Sequence, residues 1–272
     1  ERRQIFMSKI NTLADLHNTD YQAIGLSDYG KPGNYFERQI GRWSKQYLAS
    51  VTQPIPEMDK LIEWLPAHMP ASALDSGRVS IVHGDYRLDN LMFHPTEPRV
   101  LAVLDWELST LGHPLADFSY HCMSWHIPPG KFRGIAGLDL AELGIPDQET
   151  YVRRYCERTG KTIRAEDFNF YLAYNMFRIA AILQGIAKRV EAGTASSAQA
   201  VAPMALVRSA PISLMPVAMI SPAATAPISP AATQPPAVPD QVFFGLTLGQ
   251  NFGPPSQRPT KYPAREAATM RG

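Results

Sequence analysis

The sequence predicts an α+β fold that is mostly helical, with one short β element near its centre. Apolar residues recur three or four positions apart through much of the first 195 residues, which is the spacing of one buried helix face. Two short runs depart from that spacing, at 78–82 and 99–104, and are apolar and β-branched as in buried strands. The predicted helices are 1–18, 35–49, a short one from Pro56 that ends before Pro70, 149–160 and 167–191.

The helices are predicted from apolar stripes that end at turn-forming residues. The stripe of the first helix comprises Ile5, Phe6, Ile10, Leu13 and Leu16, with charged residues between them. Glycines and a proline break the pattern in the segment that follows. The stripe of the second helix comprises Phe36, Ile40, Trp43 and Tyr47. Between the two strands, the segment "NLMF" leads into a turn, "HPTEP".

The overall composition is that of an ordinary globular protein. The chain has 272 residues, of which 45% are hydrophobic and 19% are charged. A net charge of +1 gives no electrostatic signal for nucleic-acid binding. The two cysteines do not make a disulfide framework, and no apolar run is long enough for a membrane span, so we expect a cytoplasmic protein. The chain begins with Glu1 rather than Met, and we expect it to be a fragment.

The composition changes after about residue 200. Residues 201–272 hold 13 of the 24 prolines and only two acids, Asp240 and Glu266. Such dense prolines interrupt helices and sheets, so we predict one domain over 1–195 and a Pro/Ala-rich, disordered tail over 196–272. A natural tail and a frame error in the coding region are both compatible with this change.

The candidate site lies in "IVHGDYRLDN", residues 81–90, together with Asp105 at the end of the second strand. If the two predicted strands are neighbours, Asp85 and Asp105 face one cleft. Two carboxylates and the amide oxygen of Asn90 are hard ligands of the kind that Mg²⁺ takes alongside substrate phosphates. Phosphoryl transfer needs such a metal site and a carboxylate that accepts the proton of the attacking hydroxyl. The spacing from Asp85 to Asn90 equals that of the kinase motif H-R-D-x-x-x-x-N, with Gly84 in place of the arginine.

The motif "HGDYRLDN" followed by "LDWE" resembles the aminoglycoside phosphotransferase (APH) family, over roughly residues 1–195. The segments "LHNTDYQAIGLSDYGKPGNYFERQIGRWSKQY" and "STLGHPLADFSYHCMSW" are similar to the branch associated with acyl-CoA dehydrogenases. The resemblance implies a protein-kinase-like fold, with Asp85 as catalytic base and with Asn90 and Asp105 binding Mg²⁺ and, through it, ATP. It also implies a small-molecule substrate, an association with an acyl-CoA dehydrogenase, and support of the catalytic loop by Asp117.

Two departures from kinases qualify this resemblance. Trp106 and Glu107 follow Asp105 where protein kinases have Phe-Gly, which argues against an activation segment that flips. No glycine-rich strand-turn signal and no strand with a phosphate-clamping lysine occur before residue 35. The resemblance therefore implies a mostly helical C-terminal lobe with its N-terminal lobe absent.

Three functions stay open at this point. The first is an ATP-dependent O-phosphotransferase whose acceptor is a small molecule, with a hydroxyacyl compound favoured by the family branch. The second is a non-catalytic nucleotide- or metal-binding fragment with a regulatory role. The third is a metal-dependent hydrolase in which Asp85, Asp89 and Asp105 hold the metal. Two further residues are predicted to be structural: His83 shapes the loop, and Arg178, within an apolar helix, needs a buried carboxylate or carbonyl partner.

Overall fold

The computed structural model describes residues 1–75, 77–130 and 133–194. The predicted tail, 196–272, lies outside these residues. The helices are α1 (Arg2–Asn18), α2 (Tyr35–Ser50), α3 (Pro56–Ala67), α4 (Ala71–Leu74), α5 (Pro114–Cys122), α6 (Gln148–Thr159) and α7 (Ala165–Glu191). The strands are β1 (Ser80–Val82), β2 (Leu91–Phe93), β3 (Val100–Val103) and β4 (Thr110–Gly112). The five helices predicted from apolar stripes are confirmed to within a few residues.

The strands form two antiparallel pairs rather than one β element. Strand β1 pairs with β4, and β2 pairs with β3. The two strands predicted from the sequence, now β1 and β3, are therefore not hydrogen-bonded neighbours. The sequence analysis missed β4, because a three-residue strand ending in glycine has too short a pattern to separate from a loop.

The core is built around α7, which packs against α2, α3 and α5. Most of the 27 residues of this helix are buried, on all of its faces. A helix that is buried on all of its faces lies in the interior, and here α7 forms the centre of the domain. Helix α1 packs against α6 and β1. Within the described residues, no helix is both long and apolar enough to cross a membrane.

The strand pairing sets the position of the candidate site. The chain passes from β1 to β2 through residues 83–90, and from β3 to β4 through residues 104–109. Because β1 pairs with β4 and β2 pairs with β3, both connections run from one strand pair to the other. A backbone hydrogen bond of 2.8 Å from the amide of Leu104 to the carbonyl of Asn90 joins them. The two connections therefore lie side by side, although β1 and β3 are not paired.

Candidate active site

The carboxylate of Asp117 on α5 fixes the backbone of the loop after β1. This side chain is 1% exposed, and it accepts hydrogen bonds from the amides of His83 and Gly84, the second at 2.8 Å. Gly84 has a φ of +85°, and a Cβ there would lie 2.7 Å from the carbonyl oxygen of Leu108. The loop thus needs a glycine at this position, both for its backbone conformation and for the close approach of residues 104–109. The support by Asp117 that the resemblance implied is confirmed by these contacts.

His83 shapes the loop, as predicted, and is fully buried. Its Nδ1 accepts a hydrogen bond from the amide of Asp85 at 3.2 Å. Since Nδ1 is then the acceptor, Nε2 carries the proton and donates to the carbonyl of Leu104 at 2.8 Å. The ring therefore links residues 83–90 to residues 104–109.

The carboxylate of Asp85 has three partners. Oδ1 accepts a hydrogen bond of 2.8 Å from the hydroxyl of Tyr120. Oδ2 accepts one of 3.1 Å from Nδ2 of Asn90 and lies 3.1 Å from Nε of Arg87. The side chain retains 18% of its exposure, so it can still be reached from outside. These contacts fix the orientation of a carboxylate at the mouth of the loop.

Tyr120 is a residue that the sequence analysis did not single out. Burial and the neighbouring carboxylate of Asp85 raise the pKa of Tyr120 above its ordinary value. The phenol therefore stays protonated and remains a hydrogen-bond donor to Asp85 at any physiological pH. No sequence signal identified it, since the two residues are 35 positions apart and only the packing of α5 against the loop brings them together.

Arg178 on α7 fixes the same loop through its backbone. The guanidinium is almost fully buried and donates a hydrogen bond of 2.6 Å to the carbonyl of Gly84. It also lies over the rings of Trp43 and Tyr120, at 5.7 and 5.4 Å from their centroids. The buried partner predicted for Arg178 is therefore a carbonyl oxygen, and two aromatic rings also contact the guanidinium. These contacts give Arg178 a structural role.

Asn90 and Asp105 lie on the two adjoining connections. Nδ2 of Asn90 donates to the carbonyl oxygen of Asp85 at 2.9 Å as well as to its carboxylate, which leaves Oδ1 of Asn90 on the opposite side of the amide. Asp105 is exposed and adopts a left-handed conformation, with a φ of +66°. No described residue donates a hydrogen bond to its carboxylate. An amide oxygen and a free carboxylate on adjoining loops fit the oxygen ligands that Mg²⁺ requires.

The arrangement of three aspartates required by the hydrolase hypothesis receives no support. Asp89 is exposed and forms ion pairs with Arg133 at 2.6 Å and with Arg87 at 3.6 Å. Across residues 1–194 as described, no three His, Cys, Asp or Glu side chains gather closely enough to hold a metal ion. The side chain of Asp89 is better explained as part of a surface ion-pair network.

The chain is similar to several known proteins. A structure from Ralstonia eutropha JMP134, named a "putative aminoglycoside phosphotransferase", is 64% identical and superposes with a TM-score of 0.74, covering 78% of this chain and 63% of that one. Mouse acyl-CoA dehydrogenase family member 10 is 47% identical over 73% of this chain, and human member 11 is 40% identical over 72%. The chain spans only 18% and 25% of the length of these two relatives.

The family model of the phosphotransferase enzyme family, APH, matches residues 1–165. Members of this family are phosphotransferases that act on hydroxyl groups of small molecules. The match covers more than half of the chain and includes both connections, 83–90 with Asp85 and Asn90 and 104–109 with Asp105. The chain belongs to the phosphotransferase enzyme family and has its kinase-like fold.

Proposed function

We propose that this chain carries the phosphotransfer site of an ATP-dependent enzyme that phosphorylates a hydroxyl group of a small molecule. The observation that supports this most is the contact between Asp85 and Asn90 beside the free carboxylate of Asp105. We further propose that residues 1–195 are the C-terminal lobe of the fold, and that a nucleotide-binding lobe completes the site. The coding sequence upstream of Glu1 tests that last point directly.

In this proposal Asp85 is the general base. Its carboxylate accepts the proton of the acceptor hydroxyl as the hydroxyl oxygen attacks the terminal phosphate of ATP. Tyr120 and Asn90 hold the carboxylate by one oxygen each, which fixes the direction from which the hydroxyl must approach. Arg178 and Asp117 act indirectly, because they hold the backbone of the loop rather than the reacting atoms.

Asn90 and Asp105 would hold the metal ion. Mg²⁺, when bound, neutralises the charge of the ATP phosphates. Oδ1 of Asn90 and the carboxylate of Asp105 supply two oxygen ligands, and phosphate oxygens and waters complete such a shell. Nδ2 of Asn90 stays on Asp85, so one side chain couples the metal position to the position of the base.

The acceptor that we propose is a hydroxyacyl compound. The relatives that share this segment are named acyl-CoA dehydrogenase family members, and the matched segment is a small part of each. A phosphotransferase joined to such an enzyme would act on a related acyl group. For the same reason we propose that this chain acts together with an acyl-CoA dehydrogenase, either fused or as a separate partner.

The test is the replacement of Asp85 by asparagine in the protein expressed from its natural start codon. We expect kcat for phosphorylation of a hydroxyacyl substrate to fall by about 10²–10⁴ or more, the usual contribution of a general base. Thermal stabilisation by Mg-ATP should persist, because Asn90 and Asp105 are unchanged. The control Asp89→Asn should keep its rate within about fivefold, since an exposed ion pair is worth at most ~1 kcal/mol.

Two results would count against the proposal. Full activity in Asp85→Asn would remove Asp85 as the base. Stabilisation by Mg-ATP without phosphate transfer to any hydroxyl compound would favour the regulatory, nucleotide-binding alternative.

A further inference from the structure

A cleft of about 290 Å³ lies next to residues that contact Asp85. Two of its lining residues, Arg87 and Tyr120, are direct partners of the Asp85 carboxylate. The rest of the wall is largely apolar and includes Phe6, Tyr86, Trp125 and Ile135. A mostly apolar cleft with a few polar groups is the usual form of a small-molecule site.

Lys9 is the unusual residue in this wall. It lies on α1, is only 5% exposed and lines the cleft. Tyr86 donates a hydrogen bond of 2.7 Å to the carbonyl of Lys9, which anchors the backbone of Lys9 to the loop after β1. In the described part of the chain, the ammonium group has neither an ion-pair partner nor a hydrogen-bond acceptor.

An unpaired buried cation is costly, and the surroundings of Lys9 do not offset that cost. Burial lowers the pKa of Lys9 from 10.5 to about 7. The nearby carboxylate of Asp89 attracts the ammonium group, but Asp89 is already paired with Arg133, whose own charge repels Lys9. A buried charge of this kind needs a hydrogen-bonded partner of opposite sign.

We infer that the cleft binds the acceptor, and that Lys9 pairs with a carboxylate group on an otherwise apolar acceptor body. This inference rests on the proposed function, since it places the hydroxyl of a hydroxy acid next to Asp85. Phe6 and Trp125 contact the carbon chain, and Lys9 selects the charge at its end. An amino alcohol is disfavoured in the same cleft, because its cation would face Lys9 and Arg133.

The test uses three ligands with the same six-carbon body and different end groups: 6-hydroxyhexanoate, hexane-1,6-diol and 6-aminohexan-1-ol. Binding to the 272-residue chain is measured by NMR titration at pH 6, where the carboxylate is ionised and Lys9 is protonated. The acid should bind at least about tenfold more tightly than the diol, as expected for a charge-assisted hydrogen bond. The amino alcohol should bind most weakly.

The matched variants are Lys9→Met and, as control, Lys45→Met on the exposed face of α2. In K9M the preference for the acid over the diol should fall by about tenfold, with only the weaker attraction of Arg133 in the same wall left, while K45M should keep the wild-type preference. K9M should unfold at or above the wild-type temperature, because it removes an unpaired buried charge. Three results would each overturn the inference: equal binding of acid and diol to the wild type, an acid preference that is undiminished in K9M, or no binding of any of the three.

This experiment is separable from the test of the proposed function. Mg-ATP binding and the effect of Asp85→Asn do not depend on Lys9. If phosphate transfer occurs but the acid preference is absent, only the assignment of the cleft fails. If the acid preference is found but Asp85→Asn stays fully active, only the assignment of the base fails.

Discussion

Replacement of Asp117 by asparagine is the sharpest test of how the loop is held. The carboxylate uses both oxygens, one for the amide of His83 and one for the amide of Gly84. Asparagine keeps a single oxygen and turns an NH₂ group toward a backbone N–H. One charge-assisted hydrogen bond is then lost, and a buried donor is left without an acceptor.

The magnitude follows from these two contacts. A hydrogen bond to a charged group contributes about 1.5–3 kcal/mol, and an unsatisfied buried donor costs about 1–3 kcal/mol. Since these terms overlap, we expect a loss of about 3 kcal/mol in the free energy of unfolding. For a domain of about 200 residues this corresponds to a fall in Tm of roughly 6–12 °C.

The loss should also depend on pH. Burial by itself would raise the pKa of Asp117, but hydrogen bonding and charge from His17, with His83 and the Gly84 amide, lower it below the ordinary 3.8. A carboxyl whose pKa is lower in the folded state stabilises the fold above its unfolded pKa. That stabilisation is lost as the pH falls through the folded value. The Tm difference between wild type and Asp117→Asn should therefore be largest above about pH 5 and shrink below about pH 4.

Circular dichroism melts at pH 7, 4.5 and 3.5 measure both effects. Asp59→Asn, at an exposed position on α3, is the control and should shift the free energy of unfolding by no more than about 0.5 kcal/mol. A Tm within 2 °C of wild type at pH 7, or a deficit that stays constant down to pH 3.5, would refute this account of the loop.

Two further variants test the loop and its base. Tyr120→Phe removes the hydroxyl that donates to Asp85, so kcat/KM should fall about 10–100-fold. An unchanged rate in steady-state assays would contradict a role in orienting the base. Gly84→Ala places a Cβ 2.7 Å from the Leu108 carbonyl oxygen at a residue with a φ of +85°. Because both the contact and the backbone conformation are strained, the free energy of unfolding measured in urea should fall by about 2–3 kcal/mol. Gly25 has a similar φ of +74°, but a Cβ there would have no atom within 4 Å. Gly25→Ala should therefore lower the free energy of unfolding by clearly less, and equal losses in the two variants would rule out the close contact as the cause.

The helices could be predicted because their apolar stripes are local patterns. The run at 35–49 carries its core residues at helical spacing, and the observed helix is Tyr35–Ser50. The strand pairing could not be predicted in the same way. Strands of three or four residues carry too little alternation to specify a partner, and the segment at 110–112 gave no strand signal at all. Pairing is decided by the whole set of contacts around each strand, which no short window contains.

The residues Asp85, Asn90 and Asp105 were predicted from the sequence to be a set of oxygen ligands, because residue type and spacing within a loop are local properties, and their role as ligands stays a prediction. Packing decided what surrounds them. Tyr120 reaches Asp85 only because α5 lies under the loop, and Lys9 lines the cleft only because α1 packs beside β1. The chemical character of a loop is local, whereas the neighbours that orient a carboxylate or bury a cation come from distant parts of the chain that meet only in the folded core.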